Sequence, residues 1–267
     1  LGLTVAEAAE MTEAAKRAEA VTLVPFTYRH MPVMRWVKRL IDEGYLGAPH
    51  RLGMRYFTGF AREGEYAWRF DADVAGSGVI GDLGSHWLSI ALWLMGDVAE
   101  IGAVSTHTVA RADRSDGRPY ERTEDGAVMT TRFADGALGV LEVNATCWEG
   151  TPFGQTHHLD AHGRDGTIHA TCDWDTVQEV RGVRADAPGP AAVLPIPDDI
   201  WGGARRETVH DTYRDVFRVE GAMVGEFIDS VRSREPCSTD FAHGLRVQQL
   251  VDAAARSAAG DGALRPV

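Results

Sequence analysis

Asp82 and His86 stand four residues apart in the run Gly81-Asp82-Leu83-Gly84-Ser85-His86. On a helix that spacing stacks two side chains on one face and lets both point into one cavity. A carboxylate beside an imidazole can share a substrate proton. Histidine has the side-chain pKa nearest neutrality, so it can take a hydroxyl proton while hydride leaves the same carbon, and the aspartate can orient it. The same spacing also describes an ordinary helix pair whose acid sits near the N-terminal end, where the helix dipole favours negative charge.

Other motifs carry less chemistry. Gly76-Ser77-Gly78-Val79-Ile80-Gly81 matches GxGxxG and leads into a helix, but a dinucleotide fingerprint needs a buried strand immediately before its glycines. The preceding Trp68-Arg69-Phe70-Asp71-Ala72-Asp73-Val74-Ala75 has no alternation, so these glycines are expected in a flexible loop whose backbone approaches a ligand. Trp68, in the loop leading to Asp82, is a candidate pocket wall, and Trp87 and Trp93 are expected in the core. His157, His158 and His162 fall on an expected strand, where residues four apart lie roughly 13 Å from each other, too far to share one ion. No metal site is expected. Neither a GxSxG elbow nor an HExxH helix is present, which argues against serine and zinc hydrolases. Tyr28-Arg29-His30 follows an apolar run and would place polar groups at the carboxyl end of a strand, where open sheets bind ligands, unless it is a surface loop.

These residues need elements to hold them. Thr4-Val5-Ala6-Glu7 is a capping box that starts a helix reaching to about residue 20, residues 21 to 27 read as a short buried strand, and Pro32 opens a second helix that stops at Gly44. Helix, strand, helix is the pattern of a parallel sheet. From Pro49 the period changes to two, predicting strands at about 49 to 58, 99 to 110, 125 to 133, 137 to 147, 157 to 162, 167 to 172 and 174 to 180, with hairpin turns at 134 to 136 and 164 to 166. One helix, about 79 to 95, interrupts this mostly antiparallel sheet. Residues 181 to 205, rich in Pro, Gly and Ala, read as an exposed loop, and helices return at about 207 to 233 and 240 to 259. The fold class is therefore α/β plus α+β.

Composition narrows the function classes. The 267 residues carry a net charge of -12 scattered along the chain, which argues against a nucleic-acid partner. No run of about 18 or more apolar residues occurs, so no membrane span is expected. Cys147, Cys172 and Cys237 are odd in number and far apart, which suits a reducing, cytoplasmic interior.

In order along the chain, Leu1-Gly2-Leu3-Thr4, Pro25-Phe26-Thr27-Tyr28-Arg29, Gly44-Tyr45-Leu46-Gly47, Gly76-Ser77-Gly78, Asp82-Leu83-Gly84-Ser85-His86, Leu94-Met95-Gly96 and Ala254-Ala255-Arg256-Ser257 resemble the Gfo/Idh/MocA family of glucose-fructose oxidoreductase and inositol dehydrogenase relatives. The resemblance covers essentially the whole chain, and the Asp-x-Gly-x-His signature after a glycine-rich loop is its most specific part. It implies an N-terminal Rossmann domain that binds NAD or NADP and a C-terminal domain whose large open sheet mediates homodimers or homotetramers. It further implies that residues 1 to 30 are the remnant of a Rossmann domain otherwise lacking here, with 31 to 267 as the substrate and oligomerisation domain. The implied activity is reversible oxidation of a secondary alcohol on a sugar, inositol or related polyol. His86 would exchange the hydroxyl proton, Asp82 would partner it or anchor substrate, Tyr28 and Arg29 would lie near the nicotinamide, and Trp68 would line the substrate pocket. The alternatives within the resemblance are a glycosidase that uses NAD transiently and a non-catalytic sugar-binding or regulatory homologue. The family's Glu-Lys-Pro lysine is absent, and Ser89 stands where many members carry an acid, which removes one expected contact to substrate.

Overall fold

In the computed structural model, which describes residues 1–150 and 154–267, the alternating segments pair into one nine-stranded sheet. Its strands are β1 (Pro49–Thr58), β2 (Val98–Thr106), β3 (Gly126–Phe133), β4 (Leu138–Asn144), β5 (Gln155–Gly163), β6 (Gly166–Asp173), β7 (Val177–Arg184), β8 (Ala187–Val193) and β9 (Arg265–Pro266), in the order β8-β7-β6-β5-β1-β4-β3-β2-β9. Among the described residues only β1 and β4 pair in parallel. Register explains why alternation specified this sheet. Ala103, Met129, Leu141, Met54, Leu159, Ala170 and Val180 stand side by side across it, and all are buried. One residue along, the row becomes Val104, Val128, Glu142, Arg55, His158, Thr171 and Glu179, on the opposite face. A slip of one position would exchange the apolar row for the mostly polar one, so the register is strongly specified.

Helices cover the apolar face. They are α1 (Val5–Arg17), α2 (Pro32–Asp42), α3 (Ala72–Ala75), α4 (Ser85–Met95), α5 (Asp198–Trp201), α6 (Val209–Arg214), α7 (Ala222–Ser233) and α8 (Phe241–Ala258). α2 starts at Pro32, whose missing N–H costs nothing in a first turn, and buries Val33, Met34, Val37 and Leu40 against β6 and β7. α4 lies on β1, and α8 packs on β2, α1 and α4. Thr4 and Glu7 form the expected capping box at α1.

Four expectations differ from the structure. Residues 21 to 26 belong to no strand and Thr27 already opens a 3₁₀ turn: Val24 N–H donates to the Thr239 carbonyl at 2.7 Å and the Thr239 hydroxyl donates back to the Val24 carbonyl at 2.8 Å. An apolar run signals burial, whereas a strand also needs a ladder neighbour, and here the neighbour is the loop before α8. The expected loop at 181 to 205 contains β8, an edge strand, where prolines are tolerated because one side of the strand needs no donors. The expected helix at 207 to 233 is broken into α6, a π-helical turn at Asp215–Val219 and α7, with Gly221 in the left-handed region at φ 62°. The cause is Arg205, which holds Asp215 through its backbone N–H and both Nε and Nη2. β2 stops at Thr106 rather than 110 because the Asp125 carboxylate takes the amides of Thr108 and Val109 at 2.8 to 3.0 Å.

Candidate active site

The helix over the sheet begins with a fault. Residues Ile80–Gly84 form a π-helical turn that runs directly into α4. Such turns close i to i+5 and recur at functional sites. Asp82 sits in the π-helical turn and His86 in the first turn of α4. Asp82 pairs with Arg69, its Oδ2 lying 3.3 Å from Nε, and not with His86. The partner that the structure shows for this carboxylate is thus a guanidinium from the 68–70 turn.

The turn is held from below. Val79 N–H donates to the Glu124 carbonyl at 3.1 Å and Ile80 N–H to the Glu124 side chain at 2.9 Å. Gly78 is what permits this approach, since a Cβ there would lie 2.0 Å from the Glu124 carbonyl oxygen. Within the glycine-rich stretch the chain thus approaches itself at Gly78; Gly76, at φ 75°, ends α3, and Ser77 and Gly81 line the first of the two cavities beside the helix.

Two cavities meet at this helix. One, of about 390 Å³, lies between the helix, α8 and the N-terminal segment; its walls include Leu1, Leu3, Pro25, Phe26, Trp68 and Gln248. The other, of about 430 Å³, faces the sheet and is walled by Tyr28, Tyr56, Phe60 and Leu83. Arg69, Asp82 and His86 line both. The sequence motifs did not single out Arg69, Tyr56 or Phe60; a tyrosine on the inward phase of β1 is the one signal that could have found Tyr56.

Burial sets the charge states. The His86 imidazole is pushed down to about 4 by desolvation, so it is neutral near pH 7. Its ring packs edge-on against Tyr28 and Phe26, with centroids at 4.9 and 5.8 Å, and its Nδ1 is buried without a partner among the described residues. Burial raises the Asp82 carboxyl from its ordinary value, and Arg69 opposes that rise.

The remaining sequence candidates separate. Trp68 is half exposed, stacked under the Arg69 guanidinium at 4.6 Å, and lines the first cavity. Tyr28 reaches the second cavity. Arg29, its neighbour on the 3₁₀ turn Thr27–His30, lines neither cavity: its guanidinium is buried over Trp93 at 4.7 Å and donates to the Ser238 carbonyl at 3.1 Å. Its part is to tie the turn to the loop before α8. Ser89 is fully buried and bonds His243 Nε2 at 2.8 Å, so it faces α8 and lines neither cavity. Among the described residues no group of three or more His, Cys, Asp or Glu could hold a metal. All three cysteines are unpaired.

An open, mostly antiparallel sheet with one helical face, and an acid and an imidazole on the helix above it, defines an α/β domain with two cavities against that helix. The profile of the GFO/IDH/MocA C-terminal domain matches residues 34–169, and the chain belongs to that family. Levoglucosan dehydrogenase of Pseudarthrobacter phenanthrenivorans is 27% identical over 295 residues, an alignment covering 97% of this chain and 70% of that protein. D-apiose dehydrogenase of Rhizobium rhizogenes is 27% identical over 267 residues, covering 96% and 67%. In structure, levoglucosan dehydrogenase in complex with NADH and levoglucosan superposes with a TM-score of 0.83 at 22% identity, over 100% of this chain and 71% of that one.

Proposed function

We propose that this chain is the substrate-handling part of a nicotinamide-dependent dehydrogenase, oxidising or reducing a secondary alcohol or ketone on a sugar, inositol or related polyol. The observation that carries the reading is the position of His86, Asp82 and Arg69 as the shared wall of two cavities. The names of the relatives, dehydrogenases of levoglucosan, D-apiose and myo-inositol, support the substrate class.

The first cavity fits the nicotinamide end of NAD or NADP: it is large enough for the ring, apolar at Leu1, Leu3, Pro25 and Phe26, and has an orphaned imidazole nitrogen in the residue at its floor. When bound, the nicotinamide supplies the hydride acceptor or donor. The second cavity takes the polyol. His86, neutral because it is dry, accepts the proton of the reacting hydroxyl as a general base and returns it in the reverse direction. Asp82, held by Arg69, anchors a neighbouring hydroxyl and balances the imidazolium that forms. Residues 1 to 30 go with the nucleotide-binding domain and 31 to 267 with the substrate domain. The open face of the sheet is the proposed surface for a homodimer or homotetramer, and the unpaired cysteines support a cytoplasmic setting. Among the described residues no helix is long and apolar enough to cross a membrane.

The test, made on a protein that joins this chain to a nucleotide-binding domain because the chain alone is expected to be inactive, is NADH formation with levoglucosan, D-apiose or myo-inositol. His86→Ala should lower turnover by on the order of a hundredfold or more, the scale of a general acid/base; near-normal turnover would reject the assignment.

A further inference from the structure

Behind the sheet-side cavity lies a line of polar groups that the proposed chemistry does not use. Tyr28 and Tyr56 touch hydroxyl to hydroxyl at 2.8 Å. Gln155, on the neighbouring strand, donates from Nε2 to the Tyr28 hydroxyl at 3.3 Å and meets His157 Nε2 at 2.9 Å. His157 is buried among Tyr28, Tyr56 and Trp87, with ring centroids 4.4 to 4.7 Å away. Burial holds its imidazole well below the ordinary value, so it is neutral and can accept from the amide.

Counting protons along the line leaves one donor over, whichever tyrosine donates to the other. The two amide hydrogens of Gln155 go to His157 and to Tyr28. One phenolic hydrogen makes the bond between the tyrosines. The second phenolic hydrogen has no protein acceptor among the described residues, and both phenols line the cavity that His86 also lines. Desolvation keeps the pair protonated, with Tyr28 pushed up to about 12. The arrangement thus sets a built donor beside the imidazole on one lining of the cavity, with the Tyr28 and His86 rings 4.9 Å apart and in edge-on contact.

Resting on the function proposed above, we infer that the Tyr28–Tyr56 pair donates a hydrogen bond to a second oxygen of the substrate, next to the reacting carbon, and that Gln155 is the positioning residue that fixes which way this donor points. The site then selects polyhydroxylated rings over simple secondary alcohols. A buried donor left without an acceptor costs binding, and this is how a site that hydrogen-bonds an oxygen rejects the analogue lacking it.

The experiment compares myo-inositol with cyclohexanol, which has the ring and one hydroxyl but no neighbouring oxygen, in the wild type, Tyr56→Phe and Gln155→Met, each checked for folding by circular dichroism. The ratio of kcat/KM for myo-inositol to that for cyclohexanol should fall at least tenfold in both variants, with the larger part of the myo-inositol effect in KM. An unchanged ratio overturns the inference, because damage to the fold alone would depress both substrates together. A second readout does not depend on turnover: titration of myo-inositol against tryptophan fluorescence with NAD+ present, reporting through Trp87. Binding that weakens tenfold in Tyr56→Phe in an enzyme without turnover supports this inference and removes the proposed function. Equal binding by wild type and variant, or none by either, overturns the inference.

Discussion

His86 makes the dryness of the site measurable. Its pKa falls from the ordinary 6.5 to about 4 because the neutral ring is buried against Phe26 and Tyr28. The folded state therefore binds fewer protons than the unfolded chain between those two values, and stability drops as pH falls through that window. The full difference is about 3 kcal/mol, and the part lost between pH 7 and pH 5 is about 2 kcal/mol. That is a large share of a typical domain's total stability. Urea unfolding of the wild type and of His86→Gln at pH 7 and pH 5 isolates this contribution, because His157 and His243 remain in both proteins. The wild type should lose about 2 kcal/mol more than the variant on acidification. If both lose the same amount, the ring is hydrated in the folded state and the argument for a neutral base in a desolvated cleft fails.

Two further outcomes follow from the geometry. Gly78→Ala should destabilise the protein by about 3 kcal/mol through forced overpacking against Glu124, seen as a lower thermal midpoint, whereas a comparable substitution at Gly189, which has open space around it, should not. Replacing Arg69 with Met removes the cation that opposes the rise of the Asp82 carboxyl, so the acid limb of the kcat/KM profile should move to higher pH; an unmoved limb would mean that Asp82 does not titrate in catalysis.

The sheet could be read from the sequence because burial on one face imposes a period that no other element shares. β1 spans residues 49 to 58 as expected, and the two hairpin turns fall at Gly136, between β3 and β4, and at Arg164-Asp165, between β5 and β6. Where reading failed, a local signal was outweighed by a distant partner. The 21–27 run is apolar enough for a strand, but Thr239 takes its hydrogen bonds. The composition of 187 to 193 is that of a loop, yet an edge position accepts it. At the site, the residue types were legible and their relation was not. The four-residue spacing of Asp82 and His86 suggests a pair that shares a proton, and it gives no sign that Arg69, from another element, lies against the carboxylate. Arg69, Tyr56 and Gln155 reach the cleft region from other elements, so no spacing in the sequence could have grouped them. Arg29 adjoins Tyr28 in the chain, but the 3₁₀ turn sends it to Trp93 instead.

The parallel pairing of β1 with β4 has a kinetic meaning. β2 to β3, β3 to β4, β5 to β6, β6 to β7 and β7 to β8 are neighbours both in sequence and in space, so each can zip locally. β1 cannot: its partners, β4 and β5, begin at Leu138 and Gln155, and their arrival closes a long loop of chain that holds the whole His86 helix. Loop closure of that length is the slow, entropically opposed event in building such a sheet. Tyr56 meets His157 across that same seam, in register. The Tyr56–His157 contact behind the sheet-side cavity is therefore absent from any half-built sheet. It comes into being in the step that joins the two halves, so a partly folded chain holds the His86 helix without one wall of its cavity.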